Sequence, residues 1–292
     1  MKLKITDVRA LKGDSAFLID DGKTSILYDT GFAFTGFDVA KNIKAVLGER
    51  SLDYIFLTHS HYDHALGSAY VLEHYPNAKV VAGEYAAKIF AKPTAKAVMR
   101  DLDRKFAAAN GITSYPDLVD NLKVDIEVKD NDIIKAGDMH FKVLNLPGHT
   151  RCSVGFYLES EKLLLGCETL GVFDGDKTIV PSYLVGYDMT IQSIRRVLSL
   201  MIEHILMPHH GLMSKEQTRY YLDNMESSAE ETCEEIISLI KQGVTKSEIV
   251  DRFLKKFYSD KIRTIYPIDA AVLNTGITTS LIAKEFGLTL NE

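Results

Sequence analysis

Three imidazoles and a carboxylate fall within the short segment His59-Ser60-His61-Tyr62-Asp63-His64, directly after the apolar run Asp53–Thr58. Imidazole nitrogens and carboxylate oxygens are the donors that suit zinc, iron and manganese. On an extended or turning backbone, residues i and i+2 point the same way, so His59 and His61 can grip one ion. Asp63 and His64, at the turn into whatever follows, can grip a second. Two ions held ~3.5–4 Å apart lower the pKa of water to ~7, so hydroxide exists at neutral pH. It can attack a carbonyl carbon or a phosphorus while a metal stabilises the developing oxyanion. In that chemistry Asp63 is also the candidate catalytic residue, orienting the attacking oxygen. A histidine-rich solvated turn is the bland alternative; the fixed spacing behind a strand weighs against it.

Such a cluster needs a strand to end just before it and a helix to start just after it. The pattern supplies both. Asp53–Thr58 reads as a short buried strand, and His64–Tyr75 as a helix ended by Pro76. Upstream, the strands Ser15–Asp20 and Thr24–Asp29 flank the hairpin turn Asp21-Gly22, and Phe37–Leu47 is a helix stopped by Gly48. Lys79–Ala82 is a further strand. Residues 84–111 are helical in period and interrupt the strand series, so they read as an insertion or lid. Strands resume at 123–128, 139–144, 153–158 and 162–166; a helix at 189–200 and a strand at 204–207 follow. From Lys215 onward the pattern is helical, with apolar residues at i, i+3 and i+4 in 226–242, 246–258 and 269–286. The expected organisation is an α/β domain over 1–214 and a helical extension over 215–292.

Composition narrows the partners. The chain has 292 residues and a formal net charge of -6, without the basic balance of a nucleic-acid or acidic-membrane binder. No apolar run reaches the ~18 residues of a membrane span, and no apolar signal segment follows Met1, so the expected location is cytoplasmic. Cys152, Cys167 and Cys233 have no CxxC spacing and read as free thiols. Cys167 as a soft ligand is the sharper reading and a small packed residue the plainer one. His74, His140 and His204 sit within helix or strand patterns and carry no chemistry. The partner expected is a small-molecule substrate, and the amphipathic tail helices suit either packing on the body or a homodimer.

His-x-His-x-Asp-His behind a strand resembles the signature of the metallo-β-lactamase-fold hydrolases. The resemblance runs from about Ala16 to Gly211 with its motifs in order, and it implies a four-layer αββα sandwich. Asp29 in Asp29-Thr30-Gly31 would stand behind the ligands and hold a ligand loop. His149, in Pro147-Gly148-His149-Thr150, would join His59 and His61 around one ion. His210, chosen over His209 because it precedes Gly211, would join Asp63 and His64 around the other. Glu168 stands where the family usually has a bridging aspartate. Its extra methylene leaves it to bind one metal or to bridge from a shifted backbone. The implied cofactors are two divalent ions, zinc, iron or manganese.

The helical tail and the stretch Cys167–Asp174 resemble the thioester-hydrolase branch that includes glyoxalase II and the quinolone-signal thioesterase. The helices of 215–292 would then cap the site, and Tyr183 and Tyr187 would face substrate. Hydrolysis of a thioester is the leading expectation, with a phosphodiester or a lactone as alternatives. A di-iron redox protein and a catalytically weak binding or regulatory protein are readings of a different class. The first would require a flavin, and the chain lacks a phosphate-binding glycine loop for one.

Overall fold

Strands with β-branched and aromatic residues, separated by Gly, Asp and Asn turns, make up most of the first half of the chain. The computed structural model describes residues 3–292. It divides into two units. The first comprises the chain up to Asn145 together with Val154–Ser160; the second comprises Leu146–Ser153 and Glu161–Glu292. The helices from Lys215 onward therefore belong to the same unit as residues 161–214, rather than standing apart from a body that ends at 214.

In the first unit a six-stranded sheet runs in sequence order through Lys4–Asp7, Phe17–Asp20, Ser25–Tyr28, Tyr54–Phe56, Lys79–Gly83 and Ile126–Val128. The first three strands pair antiparallel and the last three join in parallel. Ser25–Tyr28 and the central part of Lys79–Gly83 are buried, as expected of strands covered on both faces. Helix Gly36–Leu47 turns Val39, Ala40, Ile43 and Leu47 inward. A second group of strands, Ile133–Ala136, Met139–Asn145 and Val154–Leu158, forms an antiparallel meander.

The single helix expected over 64–75 is two: Tyr62–Ala65 and Gly67–His74. The break falls where Gly67 passes the Asp29-Thr30-Gly31 turn. A Cβ on Gly67 would lie 2.0 Å from the Thr30 carbonyl oxygen, so only glycine permits the approach. The insertion contains helices Glu84–Phe90 and Pro93–Ala109. It is pinned rather than loose: the fully buried Asp103 accepts a hydrogen bond from the Ala33 backbone at 2.8 Å. Phe106 also lies 4.7 Å from Phe32, ring to ring.

In the second unit the parallel pair Leu163–Leu165 and His204–Met207 carries the antiparallel strand Gly211–Leu212 at its edge. Helices Tyr187–Leu198, Lys215–Lys241, Lys246–Phe257 and Ile268–Glu285 complete it. Ser214 and Thr245 each start their helix with a full capping box, through Gln217 and Glu248. Among the described residues no helix is long and apolar enough to cross a membrane.

Candidate metal centre

Parallel neighbours end at the same edge of a sheet, and each unit places its chemistry there. In the first unit, Ser25–Tyr28 and Tyr54–Phe56 run in parallel, so Asp29 and Thr58-His59 emerge together. The Asp29 backbone NH donates to the Phe56 carbonyl at 2.8 Å. Asp29 holds φ at +52°, a left-handed conformation that aspartate tolerates better than most residues.

The fully buried Asp29 side chain accepts from the Thr58 backbone NH at 2.8 Å, from the Thr58 hydroxyl and from Ser15 Oγ at 3.0 Å. Its Oδ2 also lies 2.8 Å from Nδ1 of His64. A carboxylate oxygen accepts, so the His64 ring proton resides on Nδ1 and the Nε2 lone pair is available as a ligand. The Thr58 hydroxyl, its own proton committed to Asp29, stands 2.9 Å from Nδ1 of His59 and orients that ring the same way. The chain leaves the strand extended at His61 and coils at once, with Asp63 and His64 on the one-turn helix Tyr62–Ala65. The His59 ring lies 4.6 Å from that of His61 and 4.1 Å from that of His64. Asp63, part exposed, holds Oδ2 3.7 Å from Nε2 of His64. The structure thus brings His59, His61, Asp63 and His64 together, with Asp29 behind them.

The second unit gathers His149, Glu168 and His209. His149 sits on a tight loop in which Leu146 NH bonds the Ser153 carbonyl at 2.9 Å. Gly148 has φ +145°, and a Cβ there would meet Thr190 Oγ1 at 2.1 Å. Nδ1 of His149 lies 2.9 Å from the Ser182 carbonyl, an acceptor, and 2.8 Å from the Ser182 hydroxyl, which can donate or accept. Glu168 and His209 follow the C-terminal ends of the parallel strands Leu163–Leu165 and His204–Met207. Glu168 Oε2 is 2.8 Å from Nε2 of His149, and Oε1 is 3.5 Å from Nε2 of His209. Two electron-pair donors 2.8 Å apart repel unless a cation, proton or metal ion, lies between them. The donor set therefore fits a divalent cation.

Two sequence expectations, His210 and Tyr183, differ from what the structure places here. His209, not His210, stands in this cluster. His209 adopts φ +61° and is 2% exposed, which turns its ring inward toward Glu168. His210 turns the other way, 5.2 Å from the Phe173 ring and against Gly175. Proximity to Gly211 was the wrong criterion; the sign of φ at His209 decides. Tyr183 has no surface to offer a substrate: it is fully buried, its ring 5.5 Å from that of Tyr187 and its hydroxyl directed at the Ala229 carbonyl. Tyr187 packs against Tyr183 and Phe286, and its backbone NH bonds the Glu285 carboxylate. Their neighbour Ser182, which holds His149, carried no recognisable signal in the sequence.

Residues 12–209 match the Metallo-beta-lactamase superfamily, more than half of the 292-residue chain. The chain belongs to that superfamily. A metallo-beta-lactamase family protein of Thermus thermophilus has the same fold, with a TM-score of 0.61 over 93% of this chain and 88% of that one at 19% identity. The mixed α/β superfamily fold with C-terminal helices is therefore the one expected from sequence. A probable hydroxyacylglutathione hydrolase of Schizosaccharomyces pombe is 28% identical over 165 residues, 55% of this chain and 50% of that protein. A hydroxyacylglutathione hydrolase of Francisella tularensis subsp. holarctica is 30% identical over 148 residues, 50% of this chain and 46% of that protein. The chain spans about half the length of these curated relatives. The pairs His59/His61 and Asp63/His64, found in one superfamily-type motif, are matched by a buried carboxylate and two histidines in the second unit.

Proposed function

We propose that this superfamily member is a metal-dependent hydrolase acting on thioesters. The observation that carries the reading is the carboxylate behind His64. Asp29 Oδ2, 2.8 Å from Nδ1, accepts its proton and leaves Nε2 as a metal donor. The candidate donors are His59, His61, Asp63 and His64 in the first unit, and His149, Glu168 and His209 in the second. Glu168, with Oε2 2.8 Å from Nε2 of His149 and Oε1 3.5 Å from Nε2 of His209, would hold an ion together with those histidines.

Two divalent ions held there would make water acidic enough to ionise near pH ~7 and would draw charge from a carbonyl oxygen. The chain's part is to fix the donors, and Asp63, the part-exposed carboxylate of the cluster, orients the attacking oxygen. On a thioester, a C–O bond forms at the carbonyl carbon and the C–S bond breaks. The sulfur leaves with the bonding pair and takes up a proton, giving a carboxylate and a thiol. The thioester class is supported by the relatives named hydroxyacylglutathione hydrolase, since a thiol acylated at sulfur is a thioester.

The test is elemental analysis of the purified protein beside hydrolysis of an acyl-CoA thioester and bis(p-nitrophenyl) phosphate. The expected result is about two equivalents of zinc, iron or manganese with thioester turnover. Turnover of the phosphodiester alone would replace the substrate class. No turnover of either after metal is restored would move the protein to the binding or regulatory class.

A further inference from the structure

Helix Ile268–Glu285, in the second unit, leaves its outer face bare. Val272, Leu273 and Ile277 are all exposed on one stretch of it, Leu273 to 55%. Apolar residues scattered singly over a surface need no explanation, but three within two helical turns form a patch of the kind that a partner covers. The patch borders a groove between this helix and Lys246–Phe257, lined by Val250, Leu254, Leu273, Gly276 and Ile277. Gly276 has no side chain to fill it; a Cβ there would meet nothing closer than Lys246 Cε at 3.7 Å. Large side chains thus stand beside a depression.

The inner face of the helix is already committed. Thr278 Oγ1 donates to the Tyr183 carbonyl at 3.1 Å, and the Glu285 carboxylate accepts from the Tyr187 backbone NH. The outer face is therefore held in place before any partner arrives, which lowers the ordering cost of association.

The charges on this face select the partner. Helical spacing puts Asp269, Leu273, Gly276, Ser280 and Lys284 in one stripe. Asp269 and Lys284 are exposed at its two ends, ~22 Å apart at 1.5 Å per residue. Neither makes an ion pair within the described residues. Turned antiparallel about a two-fold axis between Gly276 and Ile277, the stripe is complementary to itself. Asp269 meets Lys284 of the second copy, and Lys284 meets its Asp269. Leu273 meets Ser280, large against small, and Val272 meets Leu281, apolar against apolar. A parallel pairing would set Asp269 on Asp269 and Lys284 on Lys284, and a partner of one charge sign would satisfy only one end. We propose that this face is a homodimer interface in which helix Ile268–Glu285 packs antiparallel on its copy about that axis, an isologous contact.

The experiment is sedimentation velocity of the purified full chain from about 0.1 to 100 µM, with the fold followed by circular dichroism. Wild type should dimerise with a micromolar or tighter dissociation constant. Leu273→Glu, a change at an exposed position, should weaken the dimer at least about a hundredfold by setting a charge in its apolar centre. Asp269→Lys and Lys284→Asp should each weaken it at least about tenfold, because each places like charges opposite one another twice per dimer. The double variant Asp269→Lys with Lys284→Asp should return to within about threefold of wild type. These exchanges keep the test alive should Leu273→Glu not fold. Wild type that stays monomeric at ~100 µM overturns the proposal, and its co-sedimentation with phosphatidylcholine vesicles would assign the face to lipid instead. A dimer indifferent to Leu273→Glu forms through another surface and overturns it as well. Single exchanges that weaken the dimer without rescue in the double variant would overturn the antiparallel pairing.

Discussion

Asp29→Asn replaces the Oδ2 acceptor behind the candidate metal ligands, an oxygen that also receives Ser15 Oγ and the Thr58 hydroxyl. Asparagine tolerates the +52° φ nearly as well as aspartate, so the turn is kept. Its carbonyl oxygen can take the place of Oδ1 and still accept from the Thr58 backbone NH, now at 2.8 Å. What changes is Oδ2, which becomes an NH2 group 2.8 Å from Nδ1 of His64. Two N–H donors cannot face each other there, so the His64 proton must move to Nε2, the nitrogen needed for a metal. The bond lost is charge-assisted and buried, worth about 1.5–3 kcal/mol. That is about 10–150-fold in an equilibrium constant, the range expected when a ligand's outer partner is removed. The assay is competition for zinc with a chromophoric chelator, with the fold followed by circular dichroism. One class of site should weaken at least about tenfold while the spectrum is kept. Zinc affinity within twofold or threefold of wild type, in a folded variant, would refute the tautomer argument and with it the case for His64 as a ligand.

His209→Ala should lower bound metal by about one equivalent and abolish turnover, whereas His210→Ala should keep both; the reverse pattern in elemental analysis would restore the pre-glycine histidine. Asp103 supplies a pH dependence. Burial, partly offset by hydrogen bonds from Tyr115 and the Ala33 backbone, raises its pKa from 3.8 to about 6. The folded state therefore holds the proton more tightly than the unfolded state. Stability from this group is full below pH ~4, falls through pH ~6, and the loss is on the order of 2–3 kcal/mol. Denaturant unfolding of Asp103→Asn against wild type should show a difference that grows in the variant's favour from pH 4.5 to 7; a pH-independent difference would contradict this.

The part of the site that the sequence displays is the part built from contiguous residues. His59, His61, Asp63 and His64 could be read because a strand ends and a helix begins across them, and local geometry alone converges them. Asp29 could be read because a strand-ending Asp-Thr-Gly demands a backbone conformation few residues accept, and the structure uses it at +52°. His209 could not be read, since adjacent histidines differ only in which one takes the left-handed φ. That depends on how the strand Gly211–Leu212 pairs back onto His204–Met207, a long-range fact. Tyr183 misled for a related reason. A loop aromatic and a core aromatic have the same composition, and Tyr183 becomes core because the helix Lys215–Lys241 delivers Ala229 and Cys233 to it. The two helices expected as one divide at Gly67, where tertiary approach to Thr30 overrides helical propensity. In each case local pattern named the element or the donor, and a contact distant in sequence decided which way the side chain faced. A site assembled from several loops is thus least legible where neighbouring residues compete for one position. Glu168 is the instructive exception, because no second carboxylate adjoins it, and its two oxygens reach His149 and His209 despite the longer side chain.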